Sequence, residues 1–284
     1  MTVASYFLPR STTEALDLLA KHGPALLVVA GGTLAMPLIN EGISLPELVM
    51  GLRRAGLDGL ERSEGTLRIG ATATLSQLAV QEAVPILRDA ARSSASPSIR
   101  NMATVGGNVF TPPPGGDVAV ALLALDATVT LAGRSGERDL PLADFFTGFL
   151  TNRLAEDELL VEIRVPVRSD PAAYVKFGRK HANTPAVVTV ATRVTWAADR
   201  IADARIALGA VGPHPIRAWA AERLLIGTSL DPETIASAAA AAADECEPFT
   251  DAIATAWYRR RMTRLFVGRA LAGLADGPRS GGRP

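Results

Sequence analysis

Two places in the first 166 residues combine adjacent glycines with a threonine: Ala30-Gly31-Gly32-Thr33 and, 75 residues later, Thr104-Val105-Gly106-Gly107-Asn108. Adjacent glycines let the backbone aim successive N–H groups into one concavity, and the missing side chains let a phosphate come up against the main chain. Thr33 and Thr104 can add hydroxyl donors. The chemistry this suits is capture of an anion, a pyrophosphate in particular, by oriented amides. A Gly-Gly pair is also an ordinary tight turn, and each segment taken alone reads as one.

Other chemistries lack their residues. None of the 25 glycines is spaced as GxG, so the Rossmann fingerprint is missing, and no glycine precedes a lysine, so there is no Walker loop. His22, His181 and His214 lie far apart without ligand spacing, and no GxSxG, HExxH or kinase set occurs. The single cysteine, Cys246, cannot build a disulfide framework, a four-thiolate zinc site or an iron–sulfur cluster. A redox role would therefore need a bound organic cofactor.

Composition agrees with a globular chain able to bury a core without metals or disulfides: 284 residues, 48% hydrophobic and 20% charged. The 29 basic and 29 acidic residues balance, leaving no overall field for nucleic acid or an anionic membrane. Their distribution is uneven. Residues 1–166 hold 13 basic and 18 acidic residues, net −5, and residues 167–284 hold 16 and 11, net +5. Only Lys21 is a lysine in the first part, so a pyrophosphate there would depend on amides. Arg259, Arg260, Arg261, Arg264 and Arg269 cluster on a helical stretch that reads as a solvated or partner-facing face. Met1 to Leu8 is only mildly apolar, and the longest Ala/Val/Leu run, 118–125, falls short of the roughly 18 residues of a membrane helix. The expectation is a cytoplasmic protein without an integral membrane segment.

Elements must hold the two glycine segments in place. A helix is predicted over 12–20, stopped at Gly23-Pro24, followed by an apolar strand over 25–30 that ends at the first glycine pair. Strands over 47–50 and 66–71 and helices over 74–82 and 85–95 continue an α/β alternation. A helix over 117–125 follows a Pro/Gly loop, then strands over 127–131 and 158–165, the last stopped at Pro166. Beyond a boundary at 166–172 the pattern changes to three strands (174–179, 186–196, 201–208) and then three helices (218–226, 231–247, 251–274), which is an α+β order. The run of alanines at 238–243 reads as a tightly packed helix face, and 277–284 as a tail.

Four strings in the first part, VVAGGTLAMPLI (28–39), RIGATATLSQLA (68–79), SIRNMATVGGNV (98–109) and DVAVALLALDATV (117–129), resemble the flavin-binding medium subunit of molybdenum hydroxylases. That family includes the flavoproteins of carbon monoxide, xanthine and nicotine dehydrogenases. The resemblance continues through VKFGRKHANTPAVVTVATRV (175–194), GAVGPHPIRA (209–218) and WYRRRMTRLFVGRAL (257–271), and so covers nearly the whole chain. It implies an α+β protein: a two-subdomain FAD-binding α/β domain of the vanillyl-alcohol oxidase (PCMH) type over 1–168, divided near residue 55, then a C-terminal domain over 172–276 with a three-stranded antiparallel sheet and helices.

The resemblance further implies non-covalent FAD between the subdomains, its pyrophosphate gripped from opposite sides by Val28, Val29, Ala30, Gly31, Gly32, Thr33, Leu34 and Ala35 and by Thr104, Gly106, Gly107 and Asn108. Asp117 would bind ribose or adenine-side hydroxyls, and Leu160 and Lys176 would lie near the isoalloxazine. The residue types allow this. A carboxylate accepts two hydrogen bonds from a diol, and a cation near the flavin N1–O2 edge stabilises the reduced form. The alternatives are also ordinary: Asp117 as the N-cap of its helix, Lys176 as a strand-edge surface lysine, Leu160 as core. Leu34 departs from the family, which often has Ser or Asp after Ala-Gly-Gly-Thr.

The function implied is electron transfer. A large molybdenum-cofactor subunit oxidises substrate, a small subunit with two [2Fe–2S] clusters relays electrons, and FAD on this chain delivers them to an external acceptor, in a dimer of heterotrimers. Two rivals remain at this stage: a self-contained FAD oxidase of the vanillyl-alcohol oxidase type, and a scaffold subunit that has lost FAD.

Overall fold

A computed structural model describes residues 3–180 and 183–275. His181 and the tail 277–284 lie outside the described residues.

The first 55 residues form a small parallel sheet of Ser5–Phe7, Leu48–Gly51 and Leu26–Val29, with Leu48–Gly51 in the middle. The helix Thr12–His22 crosses it. Ser11 caps that helix by accepting from the Glu14 N–H, and Gly23, at φ 55°, ends it. Its Ala15 and Leu19 pack on Leu26 and Met50 in a core that also takes in Leu159 and Val161 of the next sheet.

That next sheet has five strands in the order Leu60–Ser63, Thr66–Gly70, Leu159–Pro166, Thr128–Gly133, Gly136–Pro141, and every pairing is antiparallel. The α/β alternation in the sequence therefore builds no parallel sheet here, because Leu159–Pro166 inserts between Thr66–Gly70 and Thr128–Gly133. The helix expected over 74–82 is shorter. A capping box between Thr74 and Gln77 opens a single turn, Leu75–Leu78, and a separate helix starts at Pro85.

The last hundred residues give a four-stranded antiparallel sheet. The three long strands, Ala172–Gly178, Ala186–Ala197 and Arg200–Gly209, carry a short fourth, Ile216–Arg217, at one edge. Helices Trp219–Leu225, Pro232–Asp244 and Ala256–Ala275 follow. Ala238, Ala239, Ala242 and Ala243 are buried, as a close-packed alanine face requires.

The helix Asp117–Ala124 joins the two halves. All eight of its residues are buried, and it packs on strands Ala186–Ala197 and Arg200–Gly209. Contact is close enough that a Cβ on Gly209 would stand 2.5 Å from Val120 Cγ2. Just past its C-terminus, Asp126 accepts from Arg193 (2.7 Å), Arg205 (2.8 Å) and Arg217 (3.0 Å), while Arg193 Nε donates to the Ala124 carbonyl. Burial alone would raise the Asp126 pKa, but the Arg205 hydrogen bond and the charges of Arg205, Arg217 and Arg193 outweigh it and hold the group below its ordinary value.

The arginine cluster at 259–269 requires a correction. Arg261, Arg264 and Arg269 are exposed, but Arg259 is fully buried and donates to the carbonyls of Ala186, Val187 and Ala210 and to Asp251. Arg260 closes the end of the helix Pro232–Asp244 by donating to the carbonyls of Ala243 and Cys246. A helix pattern shows which side faces in, not that orphan carbonyls on a neighbouring strand will draw a guanidinium there.

Two outcomes follow. Arg259→Met strands three buried carbonyls and a carboxylate, and should cost about 3–5 kcal/mol in denaturant unfolding. Asp126, with a depressed folded pKa, contributes stability that is complete above about pH 4 and fades as pH falls through the folded value; Asp126→Asn should make the acid limb of stability against pH shallower.

Candidate functional site

A cavity of about 840 Å³ opens between the small parallel sheet and the antiparallel one. Fourteen of the fifteen residues singled out from the sequence line it: Val28, Val29, Ala30, Gly31, Gly32, Thr33, Leu34, Ala35, Thr104, Gly106, Gly107, Asn108, Asp117 and Leu160. Lys176 does not.

The first glycine segment leaves the end of strand Leu26–Val29, turns through Gly32 at φ 74°, and enters the helix Ala35–Asn40. Among the described residues, the N–H groups of residues 31–34 donate to no protein group. Residues 31–33 are half-buried, and adjacent amides left without a protein acceptor form a cradle for an anion. Leu34 occupies the N-cap position of the helix and makes no side-chain bond to it; of the amides a cap would take, Met36 N–H already donates to Gly32 O and Pro37 has none.

The second segment differs from expectation. It is the helix Val105–Val109, capped by Thr104, and its amides are already engaged. Val105 N–H donates to Ala73 O, Gly106 N–H to Ala71 O, and Gly107 N–H to the Thr104 hydroxyl. Its glycines serve close approach instead. A Cβ on Gly106 would lie 2.7 Å from Ala71 O, and one on Gly107 2.9 Å from Thr104 Oγ1. Asn108 is similarly committed: its Oδ1 accepts from the N–H groups of Val118 and Ala119 and so caps the helix Asp117–Ala124. The first segment packs on the chain just before the second, where a Cβ on Gly31 would fall 2.0 Å from Met102 O.

With Asn108 as the cap, Asp117 is free of that duty and stands at the first turn of the helix, where the residue lines the cavity. The carboxylate is held from three sides, by Lys176 Nζ at 2.7 Å, Thr189 Oγ1 at 3.3 Å and Ser94 Oγ at 3.4 Å. Lys176, placed near a flavin edge by the resemblance, is thus a buried partner of Asp117 and also donates to Ser93 O. Tyr174 packs beside this group, its hydroxyl 3.2 Å from Ser93 Oγ; burial first, and the Asp117 charge next, push its pKa well up.

Leu160 lines the wall at a bulge in strand Leu159–Pro166, with Leu154, Leu27 and Phe110 adding apolar surface. The charged residues lining the cavity are all acidic: Asp117, Glu156 and Glu158. Glu158 is taken by Arg138 through two bonds of 2.6 and 2.7 Å, and the Arg138 hydrogen bond holds its pKa below the ordinary value. Asn152, Leu154, Ala155, Glu156, Glu158 and Leu159, with Ser94 and Ala95, also line the cavity and carry no motif that marks them in the sequence. Cys246 is remote from this chemistry: it is buried, bonded to Ala242 O, and pushed by burial to a pKa of about 11.

The cavity fits FAD on three counts. Its size falls within the roughly 300–1,000 Å³ of ligand sites, its walls are largely apolar, and the 31–34 backbone gives it a run of uncommitted anion donors. Sequence comparison agrees. Residues 2–168 match the FAD binding domain in molybdopterin dehydrogenase, and residues 172–274 the CO dehydrogenase flavoprotein C-terminal domain. The chain is 34% identical to the 6-hydroxypseudooxynicotine dehydrogenase complex subunit alpha of Paenarthrobacter nicotinovorans, over 94% of this chain and 93% of that one. It is 33% identical to the carbon monoxide dehydrogenase medium chain of Hydrogenophaga pseudoflava, over 94% and 95%. A solved carbon monoxide dehydrogenase from Hydrogenophaga pseudoflava, lacking the Mo-pyranopterin moiety of its molybdenum cofactor, superposes with a TM-score of 0.91, covering 95% of this chain and 96% of that chain at 33% identity. On these matches the chain belongs to the family of FAD-binding flavoprotein subunits of molybdopterin dehydrogenases.

Proposed function

We propose that this chain holds FAD non-covalently in the 840 Å³ cavity and passes electrons from the [2Fe–2S] clusters of a small partner subunit to an external acceptor. A large subunit with the molybdenum cofactor carries out the substrate chemistry, and the complex is a cytoplasmic dimer of heterotrimers. Among the described residues, no helix is long and apolar enough to cross a membrane. The observation that carries the reading is the run of uncommitted amides at 31–34 opening onto a cavity whose lining includes no cation.

The roles divide accordingly. The 31–34 amides and the Thr33 hydroxyl take the pyrophosphate. Thr104, Gly106 and Gly107 contribute shape, keeping the opposite wall close, and Asp117 accepts from cofactor hydroxyls. Leu160 and its apolar neighbours exclude water from the ring. Bound FAD would supply the two-electron chemistry, and the protein's share is to place and tune it. No histidine, cysteine or tyrosine is among the described residues lining the cavity, which favours a non-covalent cofactor over the covalently attached flavin of the rival oxidase. Leu34 does not argue for loss of FAD: the uncommitted donors at 31–34 are backbone amides, present whatever side chain stands at 34.

Acid denaturation of the purified complex should release FAD completely into the supernatant; flavin remaining on the chain, or a complex without flavin absorbance, would count against this reading. Gly31→Ala should force the two walls apart at Met102, a strain of about 1–3 kcal/mol, and weaken FAD about tenfold or more. Gly59→Ala, where an added Cβ meets nothing within 4 Å, should bind FAD as the parent does.

A further inference from the structure

The C-terminal sheet reaches the flavin cavity without lining it. Lys176 lies on strand Ala172–Gly178 and Thr189 on strand Ala186–Ala197, opposite one another in the antiparallel register. Both meet the carboxylate of Asp117, on opposite oxygens: Lys176 Nζ on Oδ2 at 2.7 Å, Thr189 Oγ1 on Oδ1 at 3.3 Å. The Lys176 and Asp117 side chains are each 9% exposed, and Thr189 is 1% exposed. Asp117 in turn is the only one of the three at the cavity wall.

The helix behind Asp117 is fixed at its other end by the same sheet. Arg193 and Arg205, on Ala186–Ala197 and Arg200–Gly209, bind Asp126, and Arg193 also takes the last-turn carbonyl of Ala124. A helix gripped at both ends can neither slide nor rotate freely, so the position of Asp117 is set by strands of the second domain.

We propose that Lys176 and Thr189 are positioning residues for the flavin site: they act on bound FAD only through Asp117, whose carboxylate they hold against the cavity wall. This deepens the FAD-binding reading and rests on it. A lysine touching the flavin itself would behave differently, since its effect would not depend on what stands at position 117. A purely structural ion pair would change the melting temperature of the complex and leave the flavin potential where it was.

The test is a double-mutant cycle in the assembled complex, comparing Lys176→Met, Asp117→Asn and the double variant with the parent. FAD dissociation and the flavin midpoint potential are read for each, with thermal unfolding as the control for folding. Lys176→Met alone should weaken FAD about tenfold and move the potential, because it leaves the buried carboxylate free to turn from the wall. In the Asp117→Asn background the same substitution should change FAD dissociation by less than about twofold. Equal factors in both backgrounds would show that Lys176 acts directly and overturn the proposal, as would an unmoved potential with only a lowered melting temperature. Thr189→Val, which keeps shape and removes one hydroxyl, is run through the same cycle; it should shift both readouts in the same direction by less, and it carries the test if Lys176→Met fails to assemble. A parent complex without FAD would sink the function proposed above, whereas additive factors in a FAD-loaded complex would sink only this inference.

Discussion

The buried helix Asp117–Ala124 is the constraint around which the rest is arranged. It has no exposed residue, so its ends must be satisfied inside the protein, and each end carries a charge that needs a partner out of water. At the N-terminus the unpaired N–H groups are met by the Asn108 side chain, and Asp117 sits where the helix dipole favours a carboxylate. At the C-terminus Arg193 meets a terminal carbonyl and Asp126 collects three arginines. The N-terminal half supplies the helix and the C-terminal half supplies most of the cations. Neither half can complete this arrangement alone, and Ala191 and Ala207 of the C-terminal sheet accordingly belong to the same core cluster as Val118 and Leu122.

The charge asymmetry along the chain gains a meaning from this. Part of the arginine in the second part works inside the protein rather than on its surface. Arg193, Arg217 and Arg259 have side chains at most 3% exposed, each bound to carboxylates, and two of them to carboxylates that stand before residue 170 or close to it. Arginine suits the work, because its planar fork can serve several acceptors at once and stays charged when buried. Lys176 meets a single carboxylate and one carbonyl, a task a point charge can do.

The two glycine segments, alike in sequence, act by different physics. One keeps its amides unpaired, and the other spends them on the turn that follows strand Thr66–Gly70 and on a threonine cap. What they share is closeness: at Gly31 and Gly106 alike the next backbone stands where a Cβ would be. The cavity thus has one chemically active wall and one wall whose glycines chiefly let the backbone close up. The lack of a lysine among the cavity's residues is consistent with that arrangement, since oriented amides take the place of a cation.

Much of this was legible in the residues themselves. Apolar runs ending in Gly or Pro located the strands Leu26–Val29 and Leu159–Pro166, the three long C-terminal strands followed by three helices were read in order, and fourteen of the residues named in advance share one cavity. The edge strands Leu60–Ser63 and Gly136–Pro141 were missed because they are exposed and polar and so carry no alternation of apolar residues. Local sequence determined which segments could turn, cap or bury themselves, since those depend on neighbours within a few positions. Tertiary structure alone decided which amides stay free, that the middle sheet is antiparallel, that Arg259 turns inward, and that Lys176 faces a carboxylate 59 residues away. Those outcomes depend on hydrogen-bond partners brought together only by folding, and a chain position carries no record of the acceptor it will meet.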